Sequence, residues 1–232
     1  SAKTVIDQLI KFGETKRGWL GVRIQYVTDE IAEVEKLDEP RGALVVSVAE
    51  NSPSEKAGIE AGDIILEFNG ERIKQMKELP AIVAKTEVGK DVQVKIWRNK
   101  KELIKNVILG RLETSEDGKV AKKKEPFEKE KQLSEIENLK IMVRLLNKED
   151  IKLRKLPNQT TGLVITGIAK NSPLANSIEV NSVIVEAQKK KIRSINDLKK
   201  ITQNVFNSNQ KTILLVIYNN QNQKRYVGIK LD

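Results

Sequence analysis

Apolar residues along this chain come in short runs separated by charged and turn-forming stretches. ALVVSV at 43–48, DIILEF at 63–68 and DVQVKIW at 91–97 carry the β-branched content or the alternation of strands. TGLVITGI at 161–168, VIVEA at 183–187 and TILLVIY at 212–218 repeat that character in the second half. Met76, Leu79 and Val83 follow helical spacing, as do Ile195, Leu198 and Thr202. No apolar run is long enough for a membrane-crossing helix and no signal-peptide pattern occurs, so the expectation is a soluble chain, whole or excised from a longer one.

The two halves are separated by ETSEDGKVAKKKEPFEKEKQLSEIEN, a stretch of mixed charge with Gly118 and Pro126. It is too poor in apolar residues to bury a core and reads as a linker over 113–137, with helical character expected near 127–136. On either side the sequence repeats at a spacing of 119 to 120 residues: Asn51-Ser52-Pro53 recurs as Asn171-Ser172-Pro173. IEAGDIILEFNGERIKQMKEL at 59–79 aligns without a gap on IEVNSVIVEAQKKKIRSINDL at 178–198. Two copies of one fold follow from this. Asn181 stands where the first copy has Gly62, a substitution that tolerates a left-handed backbone, whereas Lys189 in place of Gly70 predicts a different turn. Each copy is expected to run strand, short helix, strand, short helix opened by Ser-Pro, strand, amphipathic helix and two closing strands. The fold class is α+β or mainly β, with two small partly open barrels of five to six strands, each capped by two helices.

Charge sharpens the division. Of the net +10, residues 1–13 contribute +1, 14–112 contribute 0, 113–137 contribute −2 and 138–232 contribute +11. The basic clusters Lys152, Arg154 and Lys155, and Lys189, Lys190, Lys191 and Arg193, lie in the second copy. Such cations suit a polyanion or acidic surface through counterion release. Aromatic residues are not interleaved with them and no recognition-helix pattern accompanies them, which argues against nucleic acid. Two absences exclude more. The chain has no histidine and no cysteine, so it cannot build a Ser-His-Asp or Cys-His relay, a disulfide or a thiolate metal site. No cofactor or metal is expected.

Arg17-Gly18-Trp19-Leu20-Gly21-Val22-Arg23-Ile24-Gln25, followed by GALVVSV and NSPSEKAGIEAGDIILEFNGERI, resembles the PDZ domain of bacterial HtrA/DegP-type serine proteases. The second half is similar to their second PDZ domain, and TVIDQLIKFG at 4–13 to the helix that closes their protease domain. The resemblance implies residues 1–13 as a remnant of that domain, 14–112 as the first PDZ domain, 113–137 as linker and 138–232 as a diverged second PDZ domain. It implies a periplasmic parent enzyme with a separate catalytic domain, misfolded envelope polypeptides and C-terminal peptides as ligands, and neighbouring subunits as partners.

A groove of this kind adds its ligand as an extra strand at a sheet edge, while backbone N–H groups in a tight loop converge on the terminal carboxylate. The residues expected to form it are Trp19, Leu20, Gly21, Val22 and Ile24. Met76, Leu79 and Val83 close an apolar pocket from the helix side, and Arg17 is placed to add longer-range attraction. Gly21 lets the carboxylate come close because it has no Cβ. The matching loop of the second copy is Leu139, Lys140 and Ile141, where the lysine side chain is expected to obstruct that approach or force another loop geometry. Peptide capture is therefore assigned to the first copy, and assembly or positioning to the second. The competing readings are a stand-alone adaptor with no protease and a basic nucleic-acid or anionic-lipid binder.

Overall fold

In the computed structural model, which describes residues 18–111, 133–208 and 210–231, each apolar run picked out above becomes a strand. The described residues divide into two compact units, one drawn from the first half without Thr28–Val34, the other from the second half together with Thr28–Val34.

The first half runs β1 (Gly18–Trp19), β2 (Val22–Gln25), α1 (Asp29–Glu35), β3 (Ala43–Val48), α2 (Pro53–Lys56), β4 (Ile64–Phe68), β5 (Glu71–Arg72), α3 (Glu78–Lys85), β6 (Asp91–Arg98), β7 (Lys101–Ile108) and β8 (Gly110–Arg111). Its main sheet is antiparallel and open, in the order β2-β3-β4-β6-β7, with β5 on β4; β1 pairs with β8 apart from it. Val45, Ile65, Phe68, Val94 and Ile96 fill a core that is aliphatic around one buried phenylalanine. Helix α2 starts where Ser52 Oγ accepts the Glu55 N–H at 3.2 Å and Pro53 opens the first turn. At the end of β6, Arg98 grips the buried Asp63 carboxylate through Nε at 2.6 Å and Nη2 at 2.7 Å, and donates to Glu60 at 2.8 Å. The hydrogen bond to Asp63 raises the Arg98 pKa further above its usual value.

The second half runs β9 (Ser134–Ile136), a 3-10 turn (Glu137–Leu139), β10 (Ile141–Leu145), α4 (Lys148–Leu153), β11 (Leu163–Ile168), β12 (Val183–Ala187), β13 (Lys190–Lys191), α5 (Ile195–Phe206), β14 (Thr212–Tyr218) and β15 (Lys224–Lys230). Its sheet, also open and antiparallel, is ordered β15-β14-β12-β11-β10-β9 with β13 on β12. The repeat extends to its irregularities. Register shifts fall at Arg23/Ile24 and Met142/Val143, and at Ile65/Glu67 and Ile184/Glu186, each pair 119 residues apart.

Three local expectations change. The turns at Gly70 and Lys189 are alike: Asn69 and Gly70 have φ of 51° and 81°, Gln188 and Lys189 of 49° and 61°, and both close the same two-residue hairpin register. The ladder on either side imposes the left-handed pair, and Lys189 adopts it despite its Cβ. The second copy has no helix after Ser172-Pro173, because Ser172 Oγ accepts from Leu174 N at 3.1 Å instead of capping three residues on. The end of the expected linker, Ser134–Ile136, is a strand of the second sheet and not helical; 113–132, like 1–17, lies outside the described residues.

Candidate functional site

Residues 19–22 turn sharply because Gly21 has φ +79°, and the turn is fastened from within. The Leu20 carbonyl accepts Ser54 N–H at 3.1 Å and the Gly21 carbonyl accepts Ala49 N–H at 2.8 Å. In a trans peptide unit N–H and C=O point opposite ways, so the amides of Gly21 and Val22 are directed away from Ser54 and Ala49. Val22 lies opposite Val48, and the Ala49-to-Gly21 bond marks that pair as non-hydrogen-bonded. The Val22 N–H therefore faces away from β3, along the other edge of β2. Among the described residues no strand pairs with that edge.

Helix α3 shares its core with this edge strand. Leu79 and Val83, four residues apart, are buried on one face, and Met76, Ile82, Val22 and Ile24 are half-buried against the same core. Glu78 holds the turn before the helix by accepting Lys74 N–H at 2.9 Å and Gln75 N–H at 3.3 Å. At the other end β1 passes so close that a Cβ on Gly18 would strike the Val83 carbonyl and lie 2.9 Å from that of Thr86. Residues of the loop, the edge strand and the helix thus meet in one apolar cluster, to which Leu20, Val22, Ile24, Met76, Leu79 and Val83 all contribute. Trp19 is half-buried and Leu20 points into the core; Arg17 lies outside the described residues.

Two contributors were not anticipated as part of the site. Ser52 is fully buried beneath Gly21, and Gly18 admits the helix end. The recurring Asn-Ser-Pro was the available signal for the first, since Ser172 Oγ donates to the Leu139 carbonyl at 2.6 Å at the matching place.

In the second copy, Lys140 takes φ +51°, the same hand as Gly21. Its Nζ donates to the Asn171 carbonyl at 3.3 Å and its carbonyl accepts Ala169 N–H at 3.0 Å. Leu139 and Ile141 are buried, and the edge of β10 that matches the open edge of β2 is paired with β9. The cations Lys189, Lys190, Lys191 and Arg193 are exposed around the β12–β13 turn.

A family model described as PDZ domain matches residues 18–109. The "Probable periplasmic serine endoprotease DegP-like" of Rickettsia conorii is 36% identical over 220 residues, covering 94% of this chain and 43% of that protein. A protein of the same description from Bartonella henselae is 34% identical over 233 residues, covering 100% of this chain and again 43% of the relative. The chain spans less than half the length of these relatives. Among solved structures, one described as HtrA-type protease AlgW with decapeptide is 29% identical, with a TM-score of 0.43 over 47% of this chain and 34% of that one.

Proposed function

We propose, from the match of residues 18–109 to a PDZ domain and the similarity of the whole chain to DegP-like serine endoproteases, that this chain is the substrate-handling segment of such an enzyme in the periplasm. The first copy captures the C-terminal or exposed apolar ends of misfolded envelope polypeptides. The ligand adds as a strand to β2, its last side chain enters the slot lined by Met76, Leu79 and Val83, and its carboxylate meets the amides of residues 20–22. The observation that carries this reading is that β2 is the last strand of its sheet among the described residues and ends at the left-handed Gly21. Hydrolysis belongs to the rest of the parent protein, because a chain without histidine cannot supply a Ser-His-Asp relay. The longer relatives support that division. The second copy acts in assembly between subunits or in positioning the first.

A labelled peptide ending in valine with a free carboxylate tests the reading by fluorescence anisotropy. Amidating the terminus is expected to weaken binding roughly 10- to 100-fold, the equivalent of about 1.5–3 kcal/mol for hydrogen bonds to a charged group. Equal affinity for the free and amidated peptides would remove the carboxylate loop from the mechanism.

A further inference from the structure

The second copy differs from the first most at the edge where a ligand would lie. Strand β9 runs antiparallel along β10, with Ile136 opposite Ile141, Glu135 opposite Met142 and Ser134 opposite Val143. A peptide captured by strand addition at this groove would take that direction, with its last residue beside the loop. Ile136 is that residue. It is 1% exposed and shares one core cluster with Leu139, Ile141, Val143 and Leu198, the last being the counterpart of Leu79. Helix α5, the counterpart of α3, packs against β9 as well as β10. The residues before the anchor are less engaged: Glu135 is exposed and Leu133 is 61% exposed.

The polar end of the groove is satisfied from the same segment. Lys140 N–H, at the position of Gly21, donates to the Glu137 carbonyl at 3.0 Å. Ala169 N–H bonds the Lys140 carbonyl in the same way that Ala49 N–H bonds that of Gly21, so Ile141 N–H faces β9 as Val22 N–H faces the open edge. An added strand, an apolar last side chain and a terminal oxygen are the three things such a groove takes from a ligand. Residues 134–136 supply the first two, and the Glu137 carbonyl, an internal backbone oxygen of the 3-10 turn, already engages the Lys140 N–H that a terminal oxygen would need.

We infer that Ser134–Ile136 is a built-in occupant of the second copy's peptide groove, a self-ligand that closes this site to other peptides. This rests on the peptide-groove reading of the first copy. Because the occupant is joined to the groove through a few residues, its effective concentration is on the order of millimolar or higher, and free peptide must compete against it. Displacing it opens a second site for peptides that end in a branched aliphatic residue, the class Ile136 represents.

The test uses the full chain with 15N-labelled amides and the free hexapeptide Lys-Gln-Leu-Ser-Glu-Ile, the sequence of residues 131–136 ending in a carboxylate. In the unmodified chain, shifts are expected only in the first copy, at 20–25 and 76–85. In Ile136→Asp the carboxylate is expelled from the apolar slot, and new shifts are expected at 139–145 and 195–206, with affinity there raised at least tenfold. A folded variant whose first groove responds and whose second does not overturns the inference alone. Silence of both grooves overturns the first-copy reading and this one with it. Hydrogen exchange in the unmodified chain decides independently of the variant's folding. The amide of Ile136 is expected to exchange through local opening, at least tenfold faster than amides at the centre of β14. Exchange of Ile136 only together with β14 would make β9 an integral strand and overturn the proposal.

Discussion

Gly21→Ala separates the two reasons for a glycine in the first loop. At φ +79° a residue with a Cβ incurs about 1–2 kcal/mol of left-handed strain. The added carbon would also overlap Ser52 Cβ, lie 2.9 Å from Ser52 Oγ and lie 3.2 Å from the Trp19 ring. Ser52 cannot swing aside, since it is fully buried and its Oγ caps α2 through Glu55 N–H. Forcing atoms into a packed site of this kind costs about 1–3 kcal/mol. The expected loss is therefore about 2–5 kcal/mol. The assay is selective, because the chain's two tryptophans, Trp19 and Trp97, both lie in the first half. Guanidinium unfolding followed by tryptophan fluorescence should show the midpoint falling for that unit with its slope unchanged. Lys140 provides the counter-case: it holds φ +51° with a full side chain, where the Ser172 hydroxyl serves Leu139 instead of capping a helix. If the first loop can relax to that arrangement, the loss shrinks to the left-handed term. A measured loss of about 1 kcal/mol or less would refute the packing argument.

Two further perturbations address the units separately. Asp63→Ala leaves Arg98, whose side chain is 18% exposed, without its main partner; breaking a largely buried pair this way should cost the first unit about 3 kcal/mol, again read by tryptophan fluorescence, and a loss under about 1 kcal/mol would show that water substitutes for the carboxylate. In the second half, the Arg144 hydrogen bond and the Asn147 backbone N–H hold Asp150 below its usual pKa of 3.8. A lowered folded pKa stabilises above the unfolded value and is lost as pH falls through the folded one. The second unit should thus lose stability as the pH drops below about 4, while Asp150→Asn is less stable at neutral pH and flatter in acid; parallel curves, followed through resolved amide resonances such as those of Gly167 and Gly228, would contradict this.

Much of the fold was legible in the residue order. Strand runs at 43–48, 91–97 and 212–218 stand out because buried antiparallel strands demand continuous or alternating apolar positions. The 119-residue offset located matching strands well enough that even their bulges coincide. Leu79 and Val83 could be placed on the buried face of a helix from spacing alone, and Gly21 at a turn from its missing Cβ. The fastening of that turn was hidden, since the bonds from Ser54 and Ala49 join segments about thirty residues away and use backbone groups that every residue carries. Lys189 was misread for a related reason: local preference disfavours a left-handed lysine, but the β12–β13 ladder dictates the turn whatever side chain occupies it.

By itself, then, the sequence determined that two related strand-rich units exist, that their surfaces differ by eleven charges and that no histidine-based catalysis resides in them. Composition and periodicity are sums over side chains, and these conclusions need nothing more. Which sheet edge is open and which is filled was decided by tertiary structure. Ser134–Ile136 sits in a charged, apolar-poor stretch with one strong anchor, too short for any period to show, and it becomes a strand because β10 offers backbone groups to pair with and Ile136 joins the core cluster that includes Leu198 and Val205 of α5.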